Sequence, residues 1–213
     1  MPTDYYSLED AIKDGYLVPP KAFSVPLKFV RQGIKYDELS EEEKAHWNSL
    51  DWGDLPPPDE ISASDINKFL FNTDTVDKML KHLMENGIKV KGGDCLGKTI
   101  IFAVNQRHAE FIAERFNYHY PIYQGKFARI ITHAVNYSQT LIDDFSKKDL
   151  PEPQIAISVD MLDTGIDVPE VVNLVFFKAV RSKVKFLQMI GRGTRLCQDL
   201  FGPEQHKTEF YIF

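Results

Sequence analysis

Two short segments carry residue types that could act on a phosphorylated ligand. The first, VDMLDTGIDVP (Val159–Pro169), follows an apolar run that predicts a strand, and ligands of parallel α/β sheets gather at the carboxyl ends of strands. Within it Gly165 permits close backbone approach, and Asp167 offers a carboxylate to a ribose hydroxyl. The second segment, QMIGRGTR (Gln188–Arg195), presents Arg192 and Arg195, two forks of N–H donors on neighbouring turns of chain. Such forks suit an anion whose charge develops during reaction, as that of a transferring γ-phosphate does. Arginines alone are more often surface groups; the glutamine, the glycines and the upstream GIDVP set these two apart. Asp160 and Asp163 read as loop-capping groups. His82, His108, His119 and His133 show no paired ligand spacing, so no metal site is expected, and His133 stays open between a phosphate contact and a structural role.

A third segment, GGDCLGKT (Gly92–Thr99), matches the pattern G-x-x-x-x-G-K-[ST] letter for letter. A working phosphate loop follows a strand and opens a helix, whose first amides and lysine cradle the phosphates. Here Lys98 is followed by TIIFAV, β-branched and apolar with no helical period. The loop is expected to enter a strand and to bind no phosphate.

The elements that must position these residues alternate. Thr99–Val104, Ala128–Thr132, Ile155–Val159 and Val171–Phe177 read as strands, and the apolar run Glu209–Phe213 closes the chain. Gln106–Phe116 reads as a helix with Ala109, Ile112, Ala113 and Phe116 on one face, a second helix surrounds Ser138–Phe145, and Ser182 caps a third carrying Val184, Leu187 and Ile190. Strands alternating with helices imply a mostly parallel sheet wrapped on both faces, an α/β fold. Earlier in the chain, Asp74 can cap a helix with Val76, Met79, Leu80 and Leu83 on its apolar face, stopped by Asn86-Gly87. Ser40-Glu-Glu-Glu43 fits a capping box, and DWGDLPPPD (Asp51–Asp59) reads as a stiff connector. The expected division is a partly helical linker over residues 1–90 and one domain over 91–213.

Composition narrows the class. The 213 residues are 43% hydrophobic and 26% charged, ordinary for a globular chain. No apolar run approaches a membrane span, no secretory signal opens the chain, and two cysteines cannot build a disulfide framework. A cytoplasmic protein is expected. The net charge of −6 hides an asymmetry, because the acids concentrate before residue 90. Val171–Gln198 holds Lys178, Arg181, Lys183, Lys185, Arg192 and Arg195 with no acid. Such a stretch is either a solvated basic face or a surface for a polyanion.

Together the two segments resemble motifs V and VI of superfamily 2 helicases and translocases, with Q-x-x-G-R-x-x-R met by Gln188, Gly191, Arg192 and Arg195, and TIIFAVNQRHAEF similar to motif IV. Thr99–Phe213 resembles the second RecA-like domain of that superfamily, a three-layer α/β fold. DGYLVP, the acidic stretch ending in DWG, and DTVDKMLKHLMENGIKV running into GDCLGKTIIFAVNQRHAEFIAERF narrow the resemblance to the restriction subunit of type I restriction–modification enzymes. The resemblance implies that Arg192 and Arg195 act as arginine fingers. It implies that Gly165, Asp167, Gln188 and Gly191 line a nucleotide cleft. Asn105, Gln106, Thr132 and His133 would touch the DNA backbone. It implies ATP and Mg2+, bound mainly by a first motor domain absent here. Its partners would be double-stranded DNA, the first motor and nuclease domains of a longer parent chain, and the modification and specificity subunits, with no membrane. The isolated chain is expected to be inactive. Many relatives carry Thr where Val159 stands, so no hydroxyl contact is expected there. Open alternatives are another superfamily 2 member, such as a type III restriction or DNA-repair enzyme, a stand-alone nucleotide binder using residues 92–99, and a non-catalytic DNA-binding or docking module.

Overall fold

The computed structural model describes residues 7–23, 34–38, 41, 44, 59–61, 73–132, 138–147, 150–159, 167–178, 180 and 182–213. The chain divides into two compact units, one of Met1–Val25 with Val76–Phe213 and the other of Pro26–Thr75. The described elements are α1 (Leu8–Lys13), β1 (Pro20–Ala22), β2 (Ile34–Lys35), β3 (Glu60–Ile61), α2 (Thr73–Asn86), β4 (Lys89–Val90), β5 (Cys95–Leu96), β6 (Lys98–Phe102) and α3 (Gln106–His119). There follow β7 (Ala128–Ile130), α4 (Ser138–Ser146), β8 (Ile155–Ser158), β9 (Val171–Phe176), α5 (Lys183–Ile190) and β10 (Phe210–Ile212).

The first unit is built on a six-stranded sheet in the order β1-β10-β9-β6-β8-β7, parallel at every pairing. Every residue of β6 and β8 is buried. This is why these strands read as unbroken apolar runs rather than as alternating ones. On one face Ile100, Phe102, Ala156 and Leu174 join Phe145 of α4 and Met189 and Ile190 of α5 in a single core cluster. Strand residues of the opposite parity, Ile101 among them, turn to the other face, which α3 covers with buried Ala109, Ile112, Ala113 and Phe116. This is the expected RecA-like α/β architecture. The chain leaves β6 toward β7, returns through β8, and crosses β6 to reach β9, so the order of strands reverses about β6. The loops after β6 and β8 therefore leave at the switch point, where open α/β sheets bind ligands.

The division differs from a boundary at residue 90. Ser7–Phe23 belongs to the sheet-bearing unit: α1 opens with a capping box between Ser7 and Asp10, Val18 lies in the core, and β1 is the edge strand beside β10. Helix α2 also starts one residue before the expected cap, at Thr73, which puts Asp74 in the first turn. Gly87 stops it as expected, its N–H meeting the Leu83 carbonyl at 2.7 Å. The second unit, described by itself, pairs β2 with β3 antiparallel, Ile34 opposite Ile61. The capping box at 40–43 and most of the prolyl connector lie outside the described residues. Among the described residues no helix is long and apolar enough to cross a membrane.

Helix α5 departs from its expected facing. Val184 and Leu187 are 66% and 38% exposed, whereas Met189 and Ile190 are buried. An eight-residue helix with apolar residues on two stripes offers two possible inner faces, and the sheet takes the one bearing Met189 and Ile190. Val184, Leu187 and Gln188 share the outer one.

Candidate functional site

Ser182 caps α5 by accepting the N–H of Lys185 at 3.3 Å. The helix ends at Gly191, and the Arg192 and Gly193 amides close two further turns on Met189 and Ile190. Gly193 is required by close approach, because a Cβ there would lie 2.2 Å from the ring of Phe210 on β10. Thr194, buried beside it, gives its hydroxyl to the Gly191 carbonyl at 3.1 Å, and its own carbonyl accepts the Val18 N–H at 2.8 Å. The DGYLVP segment thus clamps the turn that carries the arginines. Arg192 is half-buried, and Arg195 and Gln188 are exposed.

The two chemistry-bearing segments meet. Arg195 Nη1 donates to Asp167 Oδ2 at 3.3 Å, a pair with both side chains about half exposed or more. Asp167 stands before the turn in which Val171 N–H reaches the Val168 carbonyl at 3.2 Å. Two lysines brace this region. Lys178, just past β9, gives its ammonium to the Val159 carbonyl at the exit of β8. Lys207, 3% exposed, donates to the carbonyls of Pro169 at 3.0 Å and Val171 at 2.6 Å. Burial lowers the Lys207 pKa to about 8, against the opposing pull of Cys197 and Glu170. Gly165, like Asp160 and Asp163, lies outside the described residues.

The residues of the P-loop-like match do something other than bind phosphate. Gly92 and Gly93 turn the chain between β4 and β5 with positive φ, and Lys98 opens β6 instead of a helix. Its ammonium is buried and donates to the carbonyls of Phe145 at 2.6 Å and Lys147 at 2.7 Å. Lys98 is thus a cation closing the C-terminal end of α4, where the last carbonyls have no helical partner. Burial lowers its pKa, with Glu170 and Cys197 pulling the other way.

At the carboxyl ends of β6 and β7, Asn105 caps α3 by accepting the His108 N–H at 2.9 Å. Gln106 accepts the Thr132 hydroxyl at 2.6 Å and donates to Glu110 at 2.9 Å. Thr132 is buried, while Asn105 is exposed and Gln106 half-exposed. The structure therefore brings Gln106 and Thr132 together with Asn105 beside them; His133 lies outside the described residues. Among the described residues no group of three or more His, Cys, Asp or Glu side chains could hold a metal ion.

Sequence reasoning missed Lys178 and Lys207, since nothing in a lysine's own neighbourhood shows that its ammonium is spent on backbone carbonyls distant in sequence. It also missed the network joining α2 to α3. Arg115 grips Asp77 through Nε at 2.8 Å and through Nη2, and His119 Nε2 sits 2.9 Å from the same carboxylate. Burial alone would push the Asp77 carboxyl up, but hydrogen bonds from Arg115 and His119 outweigh it and hold it below the usual carboxylate range.

Comparison with known proteins places the chain in a family. The family described as "Helicase conserved C-terminal domain" matches residues 77–197. The chain is 29% identical over its whole length to the type I restriction enzyme EcoKI endonuclease subunit of Escherichia coli K12, and spans 18% of that protein. It is 25% identical, over 92% of its length, to the EcoAI endonuclease subunit of Escherichia coli, spanning 23% of it. Among solved structures, a fragment described as an HsdR subunit of a type I restriction enzyme from Vibrio vulnificus YJ016 superimposes over the whole chain. Its TM-score is 0.66 at 22% identity, and 35% of that fragment is covered.

Proposed function

Because the chain belongs to the helicase conserved C-terminal domain family, we propose that it is the second motor domain of an ATP-driven, DNA-translocating restriction subunit. The Arg195–Asp167 pair supports this reading most directly, since it joins the two segments whose residue types suit a nucleotide. In the proposed cycle ATP and its Mg2+ are held mainly by a first motor domain. This domain closes on the nucleotide and presents Arg192 and Arg195 to the γ-phosphate.

The residues present fit that substrate. An exposed ion pair is worth only about 0–1 kcal/mol, so phosphate oxygens can take the Arg195 fork from Asp167 at little cost. Asp167, released, is left to accept a ribose hydroxyl, and Gly191 and the exposed Gln188 line the same side. As water attacks the γ-phosphorus and the bond to the bridging oxygen breaks, negative charge grows on that leaving oxygen, and guanidinium forks would stabilise the transition state by about 4–7 kcal/mol, or roughly 10³–10⁵ in rate. Asn105, Gln106 and His133 would contact the DNA backbone, with Thr132 orienting Gln106 through its hydroxyl. The likeness to EcoKI and EcoAI endonuclease subunits supports restriction as the parent activity; modification and specificity subunits are the partners proposed with it.

The test is ATP turnover by the full restriction subunit on long DNA, with wild type set against Arg192→Ala and Arg195→Ala. Near-complete loss with ATP binding intact is expected for both. Unchanged turnover would refute the finger assignment and return the basic stretch to a DNA-facing or solvated surface.

A further inference from the structure

Lys207 fixes the backbone beneath both halves of the proposed nucleotide site. Its own N–H donates to the Cys197 carbonyl at 2.8 Å, two residues beyond Arg195. Its ammonium donates to the carbonyls of Pro169 and Val171, two and four residues beyond Asp167. One residue therefore ties the strand of chain carrying Arg195 to the strand of chain carrying Asp167. Cys197, through which the first tie runs, is itself buried, so the post stands in the core and transmits little slack.

We propose that Lys207 is a positioning residue for nucleotide hydrolysis, setting the separation between Asp167 and Arg195 through the Pro169, Val171 and Cys197 carbonyls. The chemistry of the side chain fits the task. An ammonium on a four-carbon stem reaches two carbonyls separated by a single residue, which an apolar side chain of the same length cannot do. Holding it there is expensive, since an ammonium loses hydration on burial, and its depressed pKa records that cost. A side chain serving packing alone would meet the same space without that penalty. The inference rests on the assignment of Arg195 to the γ-phosphate.

The test uses the full restriction subunit carrying Lys207→Met, which keeps the stem and removes the donors, with Lys207→Gln as the second variant should the first fail to fold. Displacing a catalytic group by about 1 Å can cost on the order of 10²-fold in rate. Lys207→Met is therefore expected to lower kcat for ATP about tenfold or more, while ATP affinity shifts less than about threefold. Arg195→Lys keeps a cation and loses the fork, so in that background the effect of Lys207→Met is expected to shrink below about threefold. A fall of equal size in both backgrounds, or one tracking only the loss of folded protein, would overturn the proposal. Unchanged kcat in Lys207→Met and Lys207→Gln alongside abolished turnover in Arg195→Ala would refute the positioning role alone. Full turnover in Arg195→Ala would refute the nucleotide reading and this inference with it.

Discussion

Replacing Gly193 by alanine tests the packing that holds the arginine-bearing turn. A Cβ at this position would sit 2.2, 2.5 and 2.7 Å from Cδ2, Cε2 and Cγ of Phe210, far inside carbon–carbon contact. Phe210 is fully buried and packs in the cluster with Phe102, Leu174 and Met189, so its ring has no open space to swing into. Relief must come from the backbone at 191–194 or from the start of β10, and the Val18–Thr194 hydrogen bond resists the former. Inserting a methyl into such a place costs about 1–3 kcal/mol, and the depth of overlap argues for the upper end. For a chain of this size each kcal/mol lowers Tm by roughly 2–4 °C, so Gly193→Ala is expected to melt on the order of 6–12 °C below wild type. Thermal and urea unfolding followed by circular dichroism measure this directly. Phe210→Leu opens room for the methyl, and the double variant is expected to be at least about 1 kcal/mol more stable than the sum of the two single losses. Melting within a degree of wild type, or strict additivity in the double variant, would refute the assigned contact.

Two further outcomes are expected from the buried cation and from the helix-joining network. The isolated chain is expected to show no ATP turnover above buffer, and Lys98→Ala to lose stability without altering that baseline, because Lys98 closes α4 rather than a phosphate loop; steady turnover abolished by Lys98→Ala would reverse the assignment. Asp77→Asn is expected to cost about 1.5–3 kcal/mol at neutral pH, the range for hydrogen bonds to a charged group. Its folded pKa is lowered, so the stability it contributes is present above the unfolded carboxylate value of about 3.9 and is lost as pH falls through the lower folded value. Urea unfolding of both forms from pH 7 to 3 checks this: the gap between them should hold steady above about pH 5 and narrow below pH 4, and a gap that widens on acidification would refute the network.

The elements legible in the sequence are those whose physics is local or whose burial is complete. TIIF, IAIS and VVNLVF announced strands because both faces of β6, β8 and most of β9 are covered. Ser182 announced a helix start because a cap needs only its own side chain and an amide three residues on. The P-loop-like match could be rejected for the same reason, since the residues after Lys98 have the composition of a strand. Pairing of β1 with β10 could not be read, because three-residue strands some 190 positions apart leave no pattern; nor could the inner face of α5, whose two apolar stripes are equivalent until the sheet chooses one. The most instructive failures are three lysines. Lys98, Lys178 and Lys207 each send an ammonium to backbone carbonyls far away in sequence, and Lys178 counts in the basic stretch Val171–Gln198 as charge available to a polyanion. Lys98 and Lys207 are in fact buried and Lys178 half-buried. The electrostatic case for a polyanion therefore rests on fewer groups than the stretch Val171–Gln198 suggests, exposed Lys183 of α5 and Arg195 beyond it among them.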